Sequence, residues 1–90
     1  MILIIAEVAD FDQFLKTFST KGVRKRRNHG CRGSWVFRDP DDASRVWAVF
    51  DWEPEDYDEF LADPEIPAIA AELGVHGTPL MAAPVAQYDS

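Results

Sequence analysis

The sequence predicts an α+β fold with the element order strand, helix, strand, strand, helix, strand. Three observations carry the prediction. The stretch from Asn28 to Glu53 reads as two strands joined by a sharply punctuated turn. A short β-branched run, Ile2 to Val8, stands before it. Two segments with apolar residues at helical spacing separate these strands from one another and from a last extended stretch.

In chain order, Ile2, Leu3, Ile4, Ile5, Ala6 and Val8 form a strand apolar on both faces, as a central strand is. Asp10 stands where an N-cap belongs, and Phe11, Phe14, Leu15 and Phe18 recur on one helical face. Lys21, Arg24, Lys25, Arg26 and Arg27 suit the negative C-terminal pole of this helix, which is expected to end near His29 with Gly30 as a left-handed cap. Trp35, Val36 and Phe37 then lead into a loop from Arg38 to Arg45, and Val46 to Phe50 lead out of it. The loop holds Asp-Pro and Asp-Asp, whose side chains bond their own backbone and whose proline fixes φ. Alternation sets Cys31, Gly33, Trp35 and Phe37 on one face of the first strand. In the second it sets Val46, Ala48, Phe50 and Trp52 against Trp47, Val49 and Asp51.

Pro54 opens a second helical region with Tyr57, Phe60 and Leu61 on one face. Asp63 as N-cap and Pro64 at the first helical position are expected to restart it. Ile66, Ile69, Ala70 and Leu73 give the apolar stripe, with distortion at Pro67 and an end at Gly74. His76 to Pro79 reads as a loop and Leu80 to Tyr88 as the last strand. Pro79 and Pro84 would place part of that strand at an edge or bulge. The order is the ferredoxin-like βαββαβ arrangement, an antiparallel four-stranded sheet with two helical regions on one face. Because the second hairpin strand is apolar on both sides, the other sheet face also needs a cover.

Ninety residues are expected to make one domain, spanning 1–90, with a modest core. A formal net charge of −7 opposes binding to polyanions, and no aromatic-and-basic signature of RNA-binding sheets is present, so nucleic acid is not an expected partner. The single cysteine, Cys31, cannot form an intrachain disulfide. Met1 to Ala6 lacks the basic start of a signal peptide, and no stretch reaches the ~20 apolar residues of a membrane span. A cytoplasmic protein without a membrane partner is expected.

Two segments resemble the dimeric α+β barrel superfamily, in particular its antibiotic biosynthesis monooxygenase-like branch. One is His29-Gly30-Cys31-Arg32-Gly33 running into Val36 to Asp42. The other is Val49-Phe50-Asp51-Trp52 followed by Tyr57, Phe60-Leu61-Ala62 and Asp63-Pro64. The resemblance implies a homodimer with sheets packed face to face, and an apolar pocket between sheet and helices. It also implies cofactor-independent monooxygenation of a planar aromatic substrate. Two departures stand out. Phe60 occupies the place where many monooxygenase-like members carry a histidine, and Met1 to Val8 lacks the first-strand asparagine of haem-degrading members.

The candidate site residues follow from chemistry. Trp52, Tyr57 and Phe60 at the strand-to-helix junction could wall an aromatic pocket for a small apolar molecule. Trp35 and Trp47 could join them or serve as core and dimer seam. His29, Asp51 and His76 are the groups able to move a proton near such a pocket, although a histidine before Gly30 is also explained by the helix dipole. No metal is expected, because two isolated histidines and scattered carboxylates lack ligand spacing, and no phosphate loop suggests a cofactor. A non-catalytic dimeric module that binds a small molecule or a protein is the alternative, favoured by Phe60.

Overall fold

The computed structural model describes residues 1–90 and contains four strands, β1 (Ile2–Val8), β2 (Ser34–Arg38), β3 (Arg45–Phe50) and β4 (Val75–Ala82). They form one antiparallel sheet in the order β2-β3-β1-β4, the ferredoxin-like arrangement expected from the element order. Helices α1 (Phe11–Thr17), α2 (Val23–Asn28), α3 (Pro54–Leu61) and α4 (Ile66–Leu73) connect them. Ile2, Ile4, Ala6 and Val8 of β1 and Val46, Ala48 and Phe50 of β3 are buried beneath the helices, alternating strictly along each strand. No helix is long and apolar enough to cross a membrane.

The first helix is a single run in which α1 and α2 flank a π-helical turn, Phe18–Gly22. At this turn Ser19 Oγ and Thr20 Oγ1 both donate to the carbonyl of Lys16, at 3.2 and 2.7 Å, the local back-bonding with which Ser and Thr bend helices. Such widened turns often mark functional sites. Asp10 caps the helix as expected, accepting from the Gln13 N–H at 3.0 Å. Cys31 lies in the connection to β2 rather than mid-sheet, and its thiol donates to the carbonyl of Gly33.

The hairpin loop folds as its aspartates require. Asp39 Oδ1 accepts from the N–H groups of Asp41 and Asp42, and Asp42 Oδ1 accepts from that of Ser44. After β3, Pro54 takes the first position of α3 while Glu53 and Asp56 form a reciprocal capping box.

Two boundaries differ from expectation. The helix after Asp63 begins at Ile66, not Pro64, because Asp63 is used in a turn: its Oδ1 accepts from Glu65 N and its carbonyl from Ile66 N. The last strand runs over Val75–Ala82 rather than Leu80 to Tyr88. Gly77, at φ +66°, and Pro79 do not form a loop; they make a bulge where the β1–β4 register shifts between Ile5 and Glu7. β4 is an edge strand, as its prolines require.

The sheet face turned away from the helices is bare and apolar. In register across it lie Leu3 and Ile5 of β1, Trp47 and Val49 of β3, and Trp35 and Phe37 of β2. Trp35 and Phe37 are 49% and 51% exposed, an unusual state for such large rings in a sheet.

Candidate functional site

Between the buried sheet face and the helices lies a cavity of about 400 Å³, within the ~300–1,000 Å³ usual for small-molecule sites. Ile4, Ala48 and Phe50 form its floor, Phe14 and Phe18 one wall, and Tyr57 and Phe60 another. On the side of α4 and β4 it reaches the surface past Leu61, Pro67 and Gly77, all exposed. The walls are almost wholly apolar, which favours an apolar occupant through burial of its surface.

The aromatic cluster expected at the strand-to-helix junction is present. Tyr57 and Phe60 stack at 6.2 Å between ring centroids, and Trp52 lies 5.3 Å from Phe60 and 5.5 Å from Phe50. Tyr57 and Phe60 line the cavity, whereas Trp52, fully buried, stands one ring behind them. Its indole N–H has no hydrogen-bond partner, although a buried donor without one costs about 1–3 kcal/mol. Burial first, and the Asp58 carboxylate second, raise the Tyr57 pKa, so at neutral pH the phenol is a donor and not a base. Trp35 and Trp47 lie on the bare face, with the whole sheet between them and the cavity.

None of the three proton-transfer candidates lines the cavity. His29 stands behind Phe60, edge-on at 5.8 Å, and its Nε2 donates to Asp63 Oδ2 at 2.9 Å. Lys25 Nζ approaches the same Asp63 oxygen at 2.9 Å. The His29 hydrogen bond, then the Glu65 N–H and Lys25, hold the Asp63 carboxyl well below the usual carboxylate range. Asp51 is paired with Arg32 Nη2 at 2.9 Å at the sheet edge, and His76 is exposed on β4 opposite Glu7. No three or more His, Cys, Asp or Glu side chains converge to hold a metal ion.

The charged group that does line the cavity is Arg26, which the sequence places within a basic run. The run divides. Lys21 reaches out to Glu72, and Lys25 to Asp63 and Glu65, fastening the first helix to α4 and the turn before it. Arg26 turns inward and is only 4% exposed. Its guanidinium lies 3.7 Å above the Phe18 ring centre and 5.6 Å from that of Phe50, and Nη2 donates to the carbonyl of Phe18 at 3.0 Å. No carboxylate comes within ion-pair distance of it. Burial pulls its pKa down to about 10, which leaves it protonated at neutral pH. The signal was in the spacing: Phe14, Phe18, Gly22 and Arg26 recur every four residues, and the widened turn offsets the drift that this spacing has on a regular helix.

No family model matches the sequence, and no curated protein matches it by sequence comparison. Solved structures do share its fold. The chain is similar to SnoaB, a cofactor-independent oxygenase from Streptomyces nogalater. That match has a TM-score of 0.70 and 13% identity, over 99% of this chain and 94% of that one. A protein described as an antibiotic biosynthesis monooxygenase matches with a TM-score of 0.58 and 18% identity, over 98% of this chain and all of its own. A NIPSNAP domain protein from Burkholderia xenovorans matches equally well over both full lengths, again at 18% identity. The chain therefore shares the fold of these antibiotic biosynthesis monooxygenase-like structures, the fold that the two sequence segments imply.

Proposed function

We propose that this protein binds a small, flat, largely apolar molecule in the cavity between sheet and helices. The observation that carries the reading is the cavity itself: about 400 Å³, floored by Ile4, Ala48 and Phe50 and walled by aromatic rings. Rings offer a planar ligand large contact area at low conformational cost. Titration with a naphthalene or anthracene derivative should perturb tryptophan fluorescence saturably through the Trp52 cluster. Absence of any saturable change across a panel of such compounds would sink the reading.

Catalysis is the second reading, supported by the likeness in fold to SnoaB. A cofactor-independent monooxygenase would act on an electron-rich phenol of the anthrone type. The substrate methylene loses a proton, and the carbanion passes electrons to dioxygen. One oxygen atom stays as the new carbonyl and the other leaves as water. With Phe60 where a histidine is expected, and with His29, Asp51 and His76 all outside the cavity, the protein brings no base to the substrate carbon. Binding without turnover therefore suits this site better. Oxygen uptake by purified protein with anthrone separates the readings, since a plain binding module leaves the uncatalysed rate unchanged.

We propose further that a second copy of the chain covers the bare sheet face. Its exposed Trp35 and Phe37, flanked by Trp47 and Val49, form an apolar patch that the chain's own helices cannot reach.

A further inference from the structure

We propose that the ligand carries a single oxyanion joined to its planar body, a carboxylate or an ionised phenol, and that Arg26 receives it. This rests on the small-molecule reading and specifies its ligand class. A guanidinium nine-tenths buried is costly unless an opposite charge and hydrogen-bond acceptors meet it. Here the surroundings supply one hydrogen-bond acceptor, the Phe18 carbonyl, two ring faces, Phe18 and Phe50, and as nearby acidic group only the Cys31 thiol, with no carboxylate. Arginine has five N–H donors in a planar fork, so most of its capacity is unspent.

The chain keeps space for that fork. A Cβ on Gly22 would stand 2.7 Å from Arg26 Nη1, so any larger residue there would push the guanidinium aside. Lys21 and Lys25, paired with carboxylates, do not line the cavity, which leaves Arg26 as its one ionic lining group. An oxyanion held there would be bound by charge-assisted hydrogen bonds in a setting of little water, where they are strongest. The Tyr57 phenol on the same cavity wall adds a neutral donor. A merely structural Arg26, tying its helix through the Phe18 carbonyl, would predict no preference among ligands of different charge.

The test is calorimetric titration at neutral pH with 2-naphthoate, 2,4-dinitro-1-naphtholate and the neutral 2-naphthylmethanol. The intact protein should bind at least one of the two anions about tenfold or more tightly than the alcohol. The carboxylate and phenolate arms tell which oxyanion fits. Arg26→Met should bring the anion-to-alcohol affinity ratio to about one, whatever the alcohol's own affinity becomes; Arg26→Lys, keeping charge but not the fork, should retain part of the preference. Equal affinity of the wild type for all three compounds would overturn the role of Arg26 while leaving the cavity reading intact, and needs no variant to fold. Retention of the full preference in Arg26→Met would overturn it as well. Failure of all three compounds to bind would remove both readings together.

Discussion

Gly22 and Arg26 are matched in space: a Cβ on the glycine would come 2.7 Å from the arginine Nη1 and 3.3 Å from the Thr17 carbonyl oxygen. The Gly22 backbone is ordinary right-handed helix, φ −60°, so the residue is there for room and not for conformation. Alanine in its place gains about 0.5–1 kcal/mol of helix propensity. It also displaces the guanidinium from Phe18, where a buried cation–π contact is worth up to about 2 kcal/mol and a charged hydrogen bond about 1.5–3. Because Nη1 ends a flexible side chain and the hydrogen bond is made by Nη2, only part of these contacts is expected to be lost. Gly22→Ala should therefore lower stability by about 1–2 kcal/mol in urea denaturation, and an unchanged or raised midpoint would show that Arg26 moves aside at no cost.

Asp63 gives stability a defined acid limb. Its folded pKa is depressed, chiefly by His29, so the folded state holds fewer protons there than the unfolded state near and below the ordinary value of about 3.8. The stabilisation is complete above that value and is lost as pH falls below it toward the folded pKa. Relative to Asp63→Asn, the wild type should be more stable at pH 5 to 7, and the gap should narrow between pH 4 and 2. A gap independent of pH across that range would contradict the assignment.

Trp52 separates size from polarity. Trp52→Ala empties a fully buried site and should cost about 3–5 kcal/mol. Trp52→Phe keeps most of the ring and removes the unpartnered N–H, whose burial costs about 1–3 kcal/mol, so its net effect should stay within about 1 kcal/mol of zero. Thermal melts of the two variants measure the difference. A large loss in Trp52→Phe would mean that the indole N–H is satisfied in solution.

The bare sheet face should make the protein a dimer. Sedimentation equilibrium at micromolar concentration is expected to give twice the chain mass, since an interface of about 800 Å² per partner is sufficient. Trp47→Asp would bury an unpaired charge on that seam and should yield monomer or unfolded chain. A stable wild-type monomer would rule the arrangement out.

Most of the fold was legible because it depends on local pattern: the alternation in Val46 to Phe50, the aspartates of the hairpin loop, and Pro54 at a helix start all act within a few residues. The end of the chain was not, because β4 is decided by pairing with β1, which draws Gly77 and Pro79 into a bulge and leaves Pro84 to Tyr88 outside the sheet. At the site, Tyr57 and Phe60 followed from helical spacing, but Arg26 was masked by neighbours of like charge that face the other way. His29 and Asp51 were candidates by chemistry alone; their partners, Asp63 and Arg32, come from distant segments that no spacing rule joins.

The central place of β1 has a consequence for synthesis. Its two neighbours, β3 and β4, follow much later in the chain, so β1 waits for both of its partners. Until Val75 to Ala82 leave the ribosome, one edge of Ile2 to Val8 has no hydrogen-bonding partner and the cavity lacks the lining that Val75, Gly77 and Pro79 supply. Nascent chains halted near Leu73 would present that edge to chaperones and proteases, which pairing with β4 covers.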